Sequence, residues 1–146
     1  MTSSKKQTNY HFQYSILINN SQQKVWEFLT NVNRWKEWDT ELADSHLLRK
    51  FSLNAKGILK PKKGPTLKFY ISELIVNKSY TFVTKMPIGT LEIKRILINK
   101  GNQIEFTDDV KFTGFLKRVF GCILGSGFRA VLPEVMKNFK MLAEQE

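Results

Sequence analysis

The chain has 146 residues, a single cysteine, and 23 Lys and Arg against 13 Asp and Glu, for a formal charge of +10. A chain near this length forms one domain and buries roughly 70% of the surface it exposes when unfolded, so it has no need of staples. The lone Cys122 excludes an internal disulfide framework. The polar start Met1 to Asn9 lacks a signal peptide's apolar run. The most apolar stretch, 119–132, is interrupted by three glycines and Arg129, short of the roughly 18 apolar residues of a membrane span. These features predict one domain in a reducing, cytoplasmic setting. The positive balance either keeps a small domain in solution or draws it toward something anionic.

Residues 1–9 show no periodicity and are expected to fray, leaving 10–146 as the domain. Phe12, Tyr14, Ile16 and Ile18 alternate with Gln13, Ser15 and Leu17, which predicts a first strand over 12–18. Asn20 or Ser21 can cap a short helix whose stripe is Val25, Trp26, Phe28 and Leu29, and 31–38 predicts a second one. After Asp44 come short apolar runs bounded by turn residues. They predict strands over 45–51, 55–60, 66–74, 79–85, 90–99 and 103–112. Tight turns rather than helical crossovers join them, so the seven strands should be antiparallel. The last third places Leu116, Phe120, Ile123, Leu124, Val131, Val135, Phe139 and Leu142 mostly three or four residues apart, the spacing of a long amphipathic helix. Gly121, Gly125, Gly127 and Pro133 weaken it, and a bend or break is expected around 125–127.

This order of strand, two short helices, six strands and long helix resembles the helix-grip fold of the START-like superfamily, which includes polyketide cyclases and pollen-allergen proteins. The segment VWEFLTNVNRWKEWDTEL (Val25 to Leu42) is similar to that superfamily's first helix pair, with Trp38 closing the second helix. The segment from Phe112 to Gln145, with Gly114 after the last strand and Pro133 in the helix, is similar to its closing helix. The resemblance covers about 10–146 and implies an α+β fold, a seven-stranded antiparallel sheet wrapped around a long C-terminal helix, with an apolar cavity between them. The superfamily shares no catalytic signature, so no activity is implied.

The turns fix a register. A two-residue turn at Gly101 and Asn102 sets Lys100 against Gln103, Arg95 against Asp108, Leu97 against Phe106, Ile93 against Val110 and Leu91 against Phe112. A four-residue loop over 86–89 sets Tyr80 against Arg95 and Phe82 against Ile93. Shared parity then puts Tyr80, Arg95 and Asp108 side by side on the concave face, among apolar neighbours. A buried Arg and Asp must be paired. The row either orients the polar end of a ligand or is a self-satisfied structural ion pair.

Candidate walls are Phe69, Phe82, Ile93, Phe106 and Phe112 from strands, and Phe120, Leu124, Phe128, Leu132 and Met136 from the helix; each equally suits an ordinary core. Trp35 and Trp38 suit either a cavity mouth or packing against the sheet. His11 and His46 are far apart and Cys122 stands alone, so no metal site, cofactor or nucleophile is expected, and Cys122 reads as a small core residue. Glu37, Asp39, Glu41 and Asp44 read as a solvated face and a turn. Lys56, Lys60, Lys62, Lys63 and Lys68 surround the turn PKKG, a surface hairpin suited to transient contact with an anionic membrane. Nucleic acid is disfavoured, because no recognised motif and no exposed aromatics accompany the lysines. The leading expectation is a carrier or sensor of a small hydrophobic molecule or lipid. Its rivals are a polyketide cyclase-like enzyme using Tyr80, Arg95 or Asp108, and a cochaperone-like interaction domain.

Overall fold

The structure is a computed structural model, and it describes residues 7–86, 89–115 and 117–146, with only the backbone of Phe120. Seven strands form one sheet, every neighbouring pair antiparallel, in the order β1-β7-β6-β5-β4-β3-β2. They are β1 His11–Ile18, β2 Leu42–Leu47, β3 Lys56–Pro61, β4 Leu67–Ile75, β5 Ser79–Met86, β6 Gly89–Asn99 and β7 Ile104–Thr113. Helix α1 (Gln22–Leu29) starts where the Ser21 hydroxyl accepts from the Lys24 N–H, an N-cap that satisfies one otherwise orphaned donor.

The second short helix is a 3-10 helix, Val32–Glu37. Side chains three apart eclipse one another in that geometry. Val32, Trp35 and Trp38 therefore line up on one face, and all three are buried. That alignment drives both tryptophans into the core, so packing accounts for them and a cavity mouth does not.

The register agrees with the pairing expected from the turns. Gly101 takes φ +94° and the Lys100 N–H donates to the Gln103 carbonyl at 2.8 Å. Arg95 stands opposite both Tyr80 and Asp108. Pairing of β5 with β6 extends to Met86 and Gly89, and the rest of that expected loop, 87 and 88, lies outside the described residues. Strand β2 is displaced: it runs Leu42–Leu47, not 45–51. Its partner β3 supplies the cause, because the ladder ends at Leu47 opposite Gly57, and the chain then loops back through Asn54 at φ 66°. Of the terminus expected to fray, residues 7–9 are tied down. The Thr8 Oγ1 accepts from the His11 N–H at 3.0 Å, and the Gln7 Oε1 accepts from the Gln13 N–H at 2.8 Å. Residues 1–6 lie outside the description.

The C-terminal helix does not break at 125–127. It runs as α2 (Lys117–Phe120), a π turn over Gly121–Gly125, and α3 (Ser126–Ala143), with Gly125 itself helical. A π turn inserts extra residues into the spiral, which shifts the phase of what surrounds it. Ile123 and Leu124, expected on the buried stripe, are exposed, and so is Cys122, expected in the core. Gly121 and Gly125 lie against the backbone of Asn9 and Tyr10; a Cβ at Gly125 would fall 1.8 Å from the Asn9 carbonyl oxygen. Beyond the π turn the sheet-facing stripe is Leu132, Val135, Met136, Phe139 and Ala143, all buried.

Candidate functional site

The concave face is built by the period of two. Phe69 and Ile71 on β4, Tyr80, Phe82 and Thr84 on β5, Leu91, Ile93, Arg95 and Leu97 on β6, and Phe106, Asp108, Val110 and Phe112 on β7 are all buried. Most are apolar, as a face packed on a helix requires. The predicted polar row is present: Tyr80, Arg95 and Asp108 are cross-strand neighbours. The register adds a fourth member that sequence reasoning missed, Tyr14 of β1, which pairs with Asp108. Tyr14 had been placed on an alternating strand, but nothing local ties that strand's register to β7.

Arg95 and Asp108 are 3% and 2% exposed. The Arg95 Nε lies 3.6 Å from Asp108 Oδ1, an ion pair too long for a hydrogen bond. One Arg95 terminal nitrogen donates to the Tyr80 hydroxyl at 3.0 Å, and that hydroxyl donates to the Leu29 carbonyl, also at 3.0 Å. The same carbonyl accepts from the Trp35 indole at 2.9 Å, so one helix-terminal oxygen anchors both rings. The guanidinium sits 4.6 Å from the Trp35 ring, 4.8 Å from Trp38 and 4.9 Å from Phe82. Cation–π attraction of this kind is worth about 2 kcal/mol or more when desolvated, and it holds the charge where water does not reach.

The cluster is under-satisfied. Among the described residues, Arg95 Nε, Asp108 Oδ1, Trp38 Nε1 and Thr84 Oγ1 are buried with no hydrogen-bond partner. Each such atom costs about 1–3 kcal/mol, so the two on the polar row, Arg95 Nε and Asp108 Oδ1, with Trp38 against the guanidinium, need a reason. Burial pushes the Asp108 carboxyl up to about 6; Arg95 pulls it down, and the field of Asp39 adds to the rise. Burial likewise pushes the Tyr80 phenol up to about 12, against the pull of Arg95.

This sets a pH signature. The folded-state value of Asp108 lies above the usual carboxylate value of 3.8. Its contribution to stability is therefore fully present below that value and is lost as pH rises through about 6. The loss amounts to about 3 kcal/mol. Asp108→Asn should flatten the profile, so the stability of wild type relative to the variant should fall by about that amount as pH rises from about 4 to about 7. Urea denaturation at several pH values reads it directly, and parallel profiles would refute it.

The predicted walls are in the core, with departures. Phe69, Phe82, Ile93, Phe106, Phe112, Leu132 and Met136 are buried, and Phe128 is half-buried. Leu124 points outward at 42% exposure, turned by the π geometry, and the side chain of Phe120 is outside the described residues. The walls meet one another. Trp35 stacks on Phe69 at 5.6 Å and meets Phe82 at a tilt at 5.1 Å, and Phe139 of α3 lies 4.8 Å from Phe106 and 5.0 Å from Trp38. These rings bring the helices and the sheet into direct contact across the interior. Beside it, a groove of about 810 Å³ runs between β1 and α3, lined by Tyr14, Ile16 and Leu17 on one side and Pro133, Glu134 and Lys137 on the other. Tyr14, opposite Asp108 in the ladder, thus connects the polar row to the groove.

The curled antiparallel sheet closed by a C-terminal helix is the helix-grip fold of START-like and polyketide cyclase-like proteins. In a search of solved structures, a START superfamily protein from Mycobacterium smegmatis superposes with a TM-score of 0.75 at 11% identity, over 92% of this chain and 97% of that one. StfQ, a di-domain ARO/CYC protein of the steffimycin biosynthetic pathway, gives 0.73 at 10% identity over 93% of this chain. DynU16, a putative protein of the dynemicin biosynthetic locus, gives 0.69 at 13% identity over 92%. The chain spans about half of each of the last two, 51% and 47%. No protein-family pattern matches the sequence, and no curated protein matches it either.

Proposed function

We propose that the chain binds a small hydrophobic molecule or lipid between its concave face and α3, with the polar end of the ligand directed at the row Tyr14, Asp108, Arg95 and Tyr80. The observation that carries this reading is the pair of unmatched polar atoms on Arg95 and Asp108, inside an otherwise apolar face, with that of Trp38, whose ring lies against the Arg95 guanidinium. A ligand oxygen or hydroxyl would supply the missing partners, and apolar walls with a few convergent polar groups are what such sites use. The groove beside Tyr14 and Pro133 is the entry. Binding requires the aromatic packing to open there, so the ligand competes with Phe and Trp side chains for the same volume. The structural neighbours support the fold's suitability and leave the ligand's identity open.

Native mass spectrometry of freshly purified protein, followed by organic extraction, tests this. The expected result is a discrete added mass that extracts as one compound class and is lost in Tyr14→Trp, a change at an exposed position that fills the groove. A clean unliganded mass from two expression hosts would reject the reading. An adduct unaffected by Tyr14→Trp would reject the entry.

One observation favours a second reading. A carboxyl poised at about 6 can act as a general acid or base near neutral pH, because general acid–base efficiency peaks when the pKa lies near the working pH. On that reading Asp108 moves a proton on the bound molecule, as a cyclase-like reaction would require.

A further inference from the structure

The front of the C-terminal helical run is apolar on the side that faces away from the fold. Phe115 is 98% exposed, Ile123 67% and Val119 44%, and Leu124 joins them. By length and composition the whole run Lys117–Ala143 is apolar enough to cross a membrane, with a mean hydropathy of 1.4 over an 18-residue window, and only 29% of that window is buried. It is more apolar than the glycines and Arg129 suggested. Contiguous exposed apolar surface marks an interaction site. Past Pro133 the outward residues include Glu134 and Lys137, so the apolar stretch is confined to 115–131.

Charge selects the occupant. Between Asp109 and Glu134 there is no acidic residue, while Lys117, Arg118 and Arg129 lie in that span and are exposed; Lys117 and Arg129 reach back to the Tyr10 ring and to Asn9 and so flank the apolar face, and Arg118 stands next to Val119. A second copy would bring two cationic rims together on chains that each carry +10, which opposes self-association through this face. A bilayer with anionic headgroups answers both features. Its outer acyl layer takes Phe115, Val119 and Ile123, and its headgroups meet the basic rim. The basic hairpin around Lys62 and Lys63 offers the charge alone, since its turn residues Pro61, Gly64 and Pro65 give no bulky apolar anchor.

We propose that the face formed by Phe115, Val119, Ile123 and Leu124 docks on an anionic lipid surface, with the helix lying in the interface plane. It lies flat because its other side is committed: Gly121 and Gly125 are packed on the Asn9–Tyr10 backbone, and Leu132, Val135, Met136 and Phe139 are in the core. The inference stands apart from the ligand site and holds whether or not a cargo is carried.

The single cysteine offers the test. Cys122 is exposed on this segment, so the full chain can carry one polarity-sensitive nitrobenzoxadiazole label there. Vesicles of phosphatidylcholine alone and of phosphatidylcholine with one third phosphatidylserine are then compared. The expected result is a blue shift and gain of intensity with the anionic vesicles only, reversed by high salt. Ile123→Asp should weaken vesicle partitioning by about tenfold or more. Arg118→Glu should weaken it severalfold while circular dichroism confirms that the fold is intact. The same label at Lys63→Cys in a Cys122→Ser background should stay solvent-exposed. Absence of binding to anionic vesicles overturns the proposal. So does a shift at position 63 without one at 122, and so does a concentration-dependent shift at 122 in the absence of lipid, which would make the occupant a second copy.

Discussion

Trp35→Ala should lower the free energy of unfolding by about 3–5 kcal/mol, a large share of the roughly 5–15 kcal/mol that holds a domain together. Trp35 is fully buried, stacks on Phe69 and, with an interplanar angle of 6°, on Tyr80, and meets Phe82 at a tilt, while its indole N–H anchors to the Leu29 carbonyl. It also forms one wall of the Arg95 cage. Truncation removes the ring, leaves a cavity that neighbours fill only partly, and strips a cation–π partner from a buried charge. Urea melts monitored by circular dichroism measure the effect. A loss under about 1 kcal/mol would mean that the surrounding rings collapse into the space, contrary to the packing described.

Arg95→Leu should cost a comparable amount, about 3–5 kcal/mol at neutral pH, because it strands the Asp108 carboxylate in the core. Two signatures distinguish this from simple loss of packing. With Arg95 gone, the strongest influence lowering the Asp108 pKa is removed, so the carboxyl rises further and the variant should regain stability as pH falls and Asp108 is protonated. The double variant Arg95→Leu, Asp108→Leu should also be more stable than Arg95→Leu alone, since removing both partners of a buried pair is often close to neutral. Equal instability of single and double variants would show that Arg95 acts through its contacts with the aromatic rings and not through its charge on Asp108.

The polar row was legible in the sequence because hairpin turns are local. Gly101 and Asn102 fix β6 against β7, and the short β5–β6 loop fixes Tyr80 against Arg95 by counting residues. Parity then places all three on one face. Tyr14 was not legible as a member, because β1 joins β7 across the whole chain and no turn sets that register. The ring contacts across the interior were equally hidden: a Phe at an inward position reads the same whether it lines a void or touches another ring, and only the positions of Trp35 and Phe139 decide it. Cys122 and Leu124 were misplaced because a regular helical period was carried through a segment that locally abandons it, at Gly121–Gly125.

Strand β1 has a consequence for assembly. Its ladder matches His11 with Lys111, partners roughly a hundred residues apart, whereas β6 and β7 meet through a two-residue turn. Strand β1 precedes β7 in the chain and thus has no edge to join until β7 has been made. Until β1 docks, β7 keeps one open edge and the groove beside α3 lacks its β1 wall. The groove proposed as the ligand entry and the seam between β1 and β7 are therefore completed in the same late event, and β1 acts as a fastener on a half-built sheet.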